Sequence, residues 1–147
     1  MNAYVAILED DGRRVSAMRD TLRHELPACS PIFFERSADF ITWFRRHRRG
    51  TVLISLDHDL PCVRSPDGLA DDYGTGREVA DYLATVGSVC PVVVHTANSP
   101  AGDGMMRVLK DAGWSASRVR PIDDLRWIDV DWSPAARELI RPRLVLA

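Results

Sequence analysis

Apolar positions follow two alternating spacings along the first half of the chain. Residues 4–8, 32–34 and 51–56 form short, nearly continuous apolar runs, which are typical of strands buried on both faces. Between these runs, residues 13–26 and a segment that starts near Ser37 and ends before Gly50 carry apolar residues at helical spacing. The order β-α-β-α-β predicts right-handed crossovers and a parallel sheet. Ser37 is expected to be the N-cap of the second helix.

The second half of the chain continues the same alternation after an interruption. Residues 62–75 are rich in Pro, Asp and Gly, and a connection of about 14 residues is long enough to predict a mobile flap over the strand end. Beyond it, the pattern predicts a helix at 76–86, a strand at 91–94, a helix at about 104–112 and a short strand at 118–122. Ser133 and a first-turn proline predict a last helix at 134–141. The chain therefore has a five-strand (βα)₅ pattern in one domain, residues 1–147, with a C-terminal extension at about 123–147.

Polar side chains recur where the predicted strands end. They are Glu9 and Asp10 after the first strand, Asp57, His58 and Asp59 after the third, His95 and Asn98 after the fourth, and Arg120 at the fifth. In open α/β sheets, ligands bind just outside the carboxyl ends of the strands. This edge of the sheet is therefore the expected functional site.

The acidic residues of this edge predict a cation site. Three carboxylates, from Glu9, Asp10 and Asp57, are tolerable together only with a cation between them or with raised pKa values. Magnesium suits such oxygen ligands. The alternative is that these acids cap loops and face solvent. Asp59 is either a further ligand or the residue that caps the turn.

The two histidines of this edge are candidates for acid and base. Acid–base catalysis of hydrolysis requires a base to activate water and an acid to protonate the leaving oxygen, and imidazole titrates near neutral pH. His58 and His95 would supply these roles. Because His58 directly follows Asp57, only a turn would bring both side chains into one site. Trp114, Trp127 and Trp132 are expected in the core or in packing of the tail.

Composition and charge narrow the class of protein. The chain has 147 residues, 46% of them apolar, which is enough for the core of one domain. A formal net charge of −2 gives no overall cationic field for nucleic acid. One local basic cluster, Arg45, Arg46, His47, Arg48 and Arg49, is either a solvated helix C-terminus or a phosphate-contacting patch. The three cysteines show no CxxC spacing, and no run approaches the ~20 apolar residues of a membrane span, so a cytoplasmic protein is expected.

Over nearly its whole length, the chain resembles a response-regulator receiver domain. Glu9-Asp10 matches the acidic pair that holds magnesium in receivers, and Asp57 with Pro61 matches the phosphoacceptor and its trailing proline. Thr96-Ala97 matches the switch hydroxyl and the small residue after it, and Arg120-Pro121 stands where receivers have Lys-Pro. The resemblance implies a three-layer fold, with a five-stranded parallel sheet of order 2-1-3-4-5 and helices on both faces.

A narrower resemblance covers roughly residues 4–128. The segments Leu56-Asp-His-Asp-Leu60, Gly74-Thr-Gly76 and His95-Thr-Ala-Asn98, followed by Gly102 and Met105, resemble the cyclic-phosphate-processing receiver-like domains. The resemblance implies a phosphoesterase that acts on cyclic phosphate ends of nucleotides or RNA.

This function would assign the residues of the strand ends as follows. Glu9, Asp10, Asp57 and Asp59 would hold magnesium. His95, His58 and Asp57 would be catalytic, and Arg120, Thr96 and Asn98 would contact the substrate phosphate. Asn98 would otherwise cap the next helix. The alternative function is a stand-alone receiver or pseudo-receiver, with Asp57 as phosphoacceptor or with a protein-binding switch. A third is a module that senses nucleotides without turnover.

Overall fold

The computed structural model describes residues 2–122 and 124–145. The strands, in chain order, are β1 (Tyr4–Leu8), β2 (Ser30–Phe34), β3 (Thr51–Leu56), β4 (Cys62–Arg64), β5 (Ala70–Asp72), β6 (Val92–His95) and β7 (Ala116–Val119). The helices are α1 (Gly12–Glu25), α2 (Ser37–His47), α3 (Gly76–Leu83), α4 (Ser99–Asp111) and α5 (Ser133–Val145), with a 3₁₀ turn at Arg48–Gly50 and a π turn at Ile128–Trp132.

Five strands form one parallel sheet in the order β2-β1-β3-β6-β7. Counted among these five strands alone, this order is 2-1-3-4-5, so the predicted fold class is confirmed. Alternate residues of a strand point to opposite faces. Ala6 and Leu8 pack in a core with α2, α3 and α4, whereas Val5 and Ile7 pack in a second core with α1, the π turn and α5. The sheet is therefore the middle of three layers.

The segment 62–75, which is predicted to be a flap over the strand end, contains an antiparallel hairpin. β4 and β5 pair antiparallel, and Gly68 takes a φ of 85° in the turn between them. Arg36, at the start of α2, binds both carboxylate oxygens of Asp71 at 2.8 and 2.7 Å, and its guanidinium lies 3.8 Å from the ring centre of Tyr73. These contacts fix the base of the hairpin to α2.

The last strand and the fourth helix differ from their predicted bounds. β7 ends at Val119, which pairs with His95 at the end of β6, so Arg120 lies beyond the strand and is exposed. The predicted fifth strand is present, but its predicted bounds, 118–122, were wrong because β6 offers partners only as far as His95, and Pro121 has no N–H to donate. α4 begins at Ser99, five residues before the predicted start, since the Asn98 side chain caps it.

Two predicted caps also differ from the structure. Arg36 occupies the N-cap position of α2, and the Ser37 hydroxyl instead donates to Glu78 Oε2 at 2.9 Å. Ser133 begins α5 directly after the π turn and has helical backbone angles, φ −62° and ψ −47°, so it is a helical residue and not an N-cap. The tryptophans are core residues as predicted, with Trp114, Trp127 and Trp132 all buried. Among the described residues, no helix is long and apolar enough to cross a membrane.

Candidate active site

Three carboxylates meet at the carboxyl ends of β1 and β3. The two strands are neighbours and Leu8 pairs with Leu56, so the residues that follow are brought together. One oxygen from each of Glu9, Asp10 and Asp57 lies within 4.8 Å of the others. Glu9 is 0% exposed and Asp57 6%, and Asp10 is half-buried. The predicted acidic group therefore forms inside the protein surface rather than as solvated loop caps.

The pKa values of this group reflect crowding of like charge. Burial raises the pKa of Asp57 to about 8, and the negative charge of Glu9 adds to the effect. Burial and the Glu9 charge also raise the pKa of Asp10. Burial acts against ionisation of Glu9 as well, but His95, the Asp11 N–H and Arg14 together hold its pKa below the ordinary value.

Arg14, which the sequence did not single out, supplies the nearest fixed cation. Its Nη1 lies 3.4 Å from Glu9 Oε1 and 3.8 Å from Asp57 Oδ2. The Arg14 guanidinium thus lies within ion-pair distance of two buried carboxylates, and a third carboxylate, Asp10, lies beside them. The group keeps an excess of negative charge that a divalent cation would balance.

The donor set fits magnesium or manganese. Both prefer carboxylate oxygens and water. Neighbouring and opposite ligands of an octahedral ion are about 3.0 and 4.2 Å apart for metal–oxygen distances of about 2.1 Å. The three carboxylate oxygens lie within 4.8 Å of one another, so small side-chain movements would bring them to this spacing.

His95 is enclosed behind the acidic group. It is 0% exposed, and its ring lies 5.8 Å from the Trp127 ring, nearly parallel to it at 22°. Trp132 Nε1 donates to Ser55 Oγ at 2.9 Å, and Ser55 Oγ lies 2.7 Å from His95 Nδ1. Because an indole N–H can only donate, Ser55 Oγ accepts from Trp132 and keeps its own proton to give to Nδ1; in that arrangement the ring proton of His95 lies on Nε2.

The other nitrogen of this ring faces Glu9. His95 Nε2 lies 3.3 Å from Glu9 Oε1, which is within ion-pair distance. Nε2 is nevertheless a buried nitrogen without a hydrogen-bond partner among the described residues. A buried polar atom without a partner carries a desolvation cost. The Ser55 contact fixes the ring so that this nitrogen points at a carboxylate of the acidic group.

His58 occupies a different position from His95. Its side chain is 17% exposed, and Nε2 lies 4.0 Å from Asp59 Oδ1. The chain turns after Asp57, whose Oδ1 accepts from the His58 N–H at 2.7 Å. His58 is not part of the acidic group; it lies at the rim of the same sheet edge, beside Asp59.

Asp59 and Asn98 contact each other instead of the acidic group. Asp59 is 69% exposed, and Asn98 Nδ2 donates to its Oδ1 at 3.4 Å. The Asn98 Oδ1 accepts from Ala101 N at 3.2 Å, so this residue caps α4, one of its two expected roles. The Thr96 hydroxyl accepts from the Asn98 N–H at 3.1 Å and is buried.

A second arginine that the sequence did not single out lies against Thr96. Arg118 Nη2 donates to the Thr96 carbonyl at 2.6 Å, and Nη1 lies 3.5 Å from Asp103. A Cβ at Gly102 would overlap the Arg118 guanidinium, so the glycine makes room for this side chain. Burial lowers the pKa of Arg118, and the nearby charge of Arg120 lowers it further. Arg120 thus lies near the edge but outside the sheet.

The Gly74-Thr75-Gly76 segment fixes the backbone beneath the acidic group. Gly76 N donates to the His58 carbonyl at 3.0 Å, and a Cβ at Gly76 would overlap the Asp57 carbonyl. The Thr75 hydroxyl accepts from Glu78 N and caps α3. Because the Gly76 amide is already bonded, the segment acts here as close packing rather than as an anion cradle.

The chain is similar in fold to solved structures of response regulators. The phosphorylated cyanobacterial phytochrome response regulator RcpA has a TM-score of 0.70 at 14% identity, over 95% of this chain and 94% of that chain. The Mn²⁺-bound form of response regulator Rcp1 has a TM-score of 0.62 at 16% identity, over 88% and 93%. The response regulator domain of Thermotoga maritima CheB has a TM-score of 0.67 at 14% identity, over 97% and 96%. At these sequence identities the similarity shows a shared fold and nothing more.

The comparison of sequences gives the family. No curated protein matches the chain. The family model described as the cyclic-phosphate processing receiver domain matches residues 5–111, which include the three acids, both histidines of the strand ends and the Gly74-Thr75-Gly76 segment. With the receiver fold and this match together, the chain belongs to the cyclic-phosphate processing receiver domain family.

Proposed function

We propose that the protein is a phosphoesterase that acts on cyclic phosphate ends of nucleotides or RNA, assisted by magnesium or another divalent cation. The observation that supports this most is a fully buried histidine held against a carboxylate of the acidic group. A phosphorelay receiver has no need of such a histidine. The description of the family points to the same substrate class.

The reaction consists of one bond made and one bond broken at phosphorus. Water adds to the phosphorus atom of a 2′,3′-cyclic phosphate and loses a proton, while one ribose oxygen leaves and gains a proton, so that a phosphomonoester forms. A cation held by Glu9, Asp10 and Asp57 would activate water and stabilise the charge on the phosphoryl oxygens. The residues of the chain bind, orient and exchange protons around that charge.

The two histidines receive different roles in this proposal. His95 is 0% exposed, so it acts through Glu9 as a positioning residue and does not touch the substrate. His58 is partly exposed at the rim and is the group that exchanges a proton with water or with the ribose oxygen. Both histidines therefore take part, but His95 orients Glu9 and His58 transfers the proton.

Contacts to the phosphoryl group come from the surrounding rim. Arg14 already contacts two of the three acids and has further N–H groups to donate. Arg120 and Asn98 remain the proposed phosphate contacts at the ends of β6 and β7, with Asp59 as the partner of Asn98. Thr96 is only 1% exposed and accepts from the Asn98 N–H, so, like His95, it orients a neighbour and does not touch the substrate. Such donors stabilise the charge that develops on the phosphoryl oxygens.

Phosphorus NMR in the presence of magnesium tests the proposal. Wild-type protein should convert 2′,3′-cyclic nucleotides, or a short RNA with a cyclic phosphate end, into phosphomonoesters. His95→Ala and His58→Asn should each lose most of this activity, whereas His24→Ala, at an exposed position on α1, should keep it. His58→Asn is included because a rim substitution preserves the fold if the buried one does not. Wild-type protein that leaves every substrate unchanged would refute the proposal.

A stand-alone receiver switch is the second candidate. It is favoured by the receiver fold and by the position of Asp57 at the end of β3. In that case acetyl phosphate should transfer its phosphoryl group to Asp57 and release acetate, and mass spectrometry should detect a gain of one phosphoryl group that is absent in Asp57→Asn.

A further inference from the structure

A cavity lies at the opposite edge of the sheet from the acidic group. Its volume is about 410 Å³, within the range of ligand pockets, about 300–1,000 Å³. The arginine cavity, as we call it, is lined by Tyr4, Arg45, Arg46, His47, Arg48 and Arg49. Tyr4 begins β1, whereas Glu9 follows its end, so the two sites are about 16 Å apart along the strand.

The charge of the arginine cavity exceeds what a helix end requires. A helix C-terminus carries about half a negative charge, whereas four arginines line the cavity at the C-terminus of α2. Within the described residues, no carboxylate lies at ion-pair distance from any of the four. Arg48 contacts the Gly87 carbonyl at 3.4 Å and Arg45 lies over the Tyr82 ring, while Arg46 and Arg49 are exposed. At least two cations are thus available to a ligand.

A rigid aromatic wall stands beside these charges. The His47 ring stacks on Trp43, with ring centres 4.4 Å apart and an angle of 9°. Tyr4 meets both rings edge-on, at 5.6 Å from His47 and 5.2 Å from Trp43. His47 Nδ1 is held at 2.8 Å from the Trp43 carbonyl, which fixes its ring. Cationic groups beside flat rings are what single-stranded nucleic acids bind, through phosphates and through bases or sugars.

We propose that the arginine cavity binds a single-stranded nucleic acid through its phosphodiester backbone. The net charge of the chain is −2, so attraction comes from this cluster and not from the protein as a whole. This site does not depend on the proposed esterase activity, because it uses other residues and no metal.

The salt dependence of binding gives the number of contacts. Each phosphate neutralised on a single strand contributes about −0.7 to the log–log slope of affinity against salt, so four contacts give about −2.8. Raising the salt from 50 to 200 mM should then weaken binding by about 50-fold. Removing Arg46 and Arg49 should halve the slope and leave only about a sevenfold loss over the same range.

Fluorescence anisotropy with a labelled RNA of about 12 nucleotides ending in a 3′-hydroxyl, in EDTA, tests this site apart from the acidic group. Arg46→Ala with Arg49→Ala is compared with Arg23→Ala with Arg107→Ala, a matched loss of two exposed arginines on α1 and α4. Wild type and the control pair should bind alike, and the cavity pair should bind at least tenfold more weakly with an unchanged thermal midpoint.

Three results would overturn the proposal. They are wild-type protein that does not bind at 50 mM salt, equal losses in the two variant pairs, and inorganic polyphosphate that competes as well per phosphate as RNA. The last result would mean that the aromatic wall contributes nothing and that the ligand is a plain polyanion. Equal binding of DNA and RNA of one sequence would support recognition of the backbone, and a preference for RNA would support added contacts to the 2′-hydroxyl.

Discussion

Replacing Asp57 by Asn should stabilise the metal-free protein, although it removes a central residue of the site. The two side chains have nearly the same shape, so the change removes one negative charge and little else. Asp57 is 6% exposed and lies against Glu9, and burial with that charge raises its pKa to about 8. The folded protein must therefore either keep a proton on Asp57 or hold an unfavourable charge.

The magnitude follows from the difference between the two pKa values. The folded value of about 8 lies some 4 units above the ordinary value of 3.8, and each unit is worth about 1.4 kcal/mol. The folded state binds the proton more tightly, so this contribution to the free energy of unfolding is present below pH 3.8 and is lost as pH rises toward 8. At pH 7.5 the pKa difference alone would lower the free energy of unfolding of the wild type by about 5 kcal/mol. Relaxation of a buried site reduces such costs, so we expect Asp57→Asn to be more stable by about 2 kcal/mol.

Thermal unfolding in EDTA measures the effect. For a chain of this length, about 2 kcal/mol corresponds to a rise of about 4–8 °C in the midpoint of Asp57→Asn at pH 7.5. The gain should shrink to about a third at pH 5, because wild-type Asp57 then keeps its proton in the folded state. Magnesium should raise the midpoint of the wild type by mass action but not that of the variant.

Asp59→Asn is the matched control for this prediction. It removes the same charge two residues away, from a side chain that is 69% exposed and outside the acidic group. Its midpoint should stay close to that of the wild type. An Asp57→Asn variant that unfolds more easily than the wild type at pH 7.5, or an equal gain in Asp59→Asn, would contradict the account of a buried like-charge group.

Two further substitutions test how the site is held. Ser55→Ala leaves the buried His95 Nδ1 without its partner, and urea unfolding should show a loss of about 2 kcal/mol; an unchanged urea midpoint would mean that the buried contact contributes nothing. Gly76→Ala drives a Cβ into the Asp57 carbonyl and should lower the free energy of unfolding by more than about 3 kcal/mol, whereas Gly12→Ala, where a Cβ meets nothing within 4 Å, should be neutral or slightly stabilising. Equal urea midpoints for the two glycine variants would refute the close packing of Gly76.

The positions of the strands and the residues at their ends could be predicted because they depend on local pattern, whereas the order 2-1-3-4-5 came from the resemblance to receiver domains. Residues of β1 and β3 are apolar at consecutive positions, and this pattern ends where charge begins, at Glu9 and Asp57. Parallel strands then bring these acids together whatever the details of packing. The acidic group follows from the sequence for this reason.

Contacts between distant segments could not be predicted in the same way. Arg118 and Arg120 are two residues apart, and strand periodicity alone does not separate them. Arg118 contacts Thr96 because Gly102, on another element, leaves room for its guanidinium. The hairpin at 62–72 did carry a local signal, the Asp67-Gly68 dipeptide, but its strands are exposed on both faces and show no apolar alternation.

The enclosure of His95 comes from residues outside the segment that identifies the family. The family match ends at residue 111, whereas Trp127 and Trp132 stand at the start of the last helical stretch. Trp127 stacks on His95 and lies 5.5 Å from the Arg14 guanidinium, and Trp132 reaches His95 through Ser55. Because Trp127 contacts both His95 and Arg14, and each of these two residues contacts Glu9, the orientation of Glu9 depends on the packing of the C-terminal helical stretch. A displacement of that helix would therefore alter the acidic group itself, even though every acid belongs to the receiver segment.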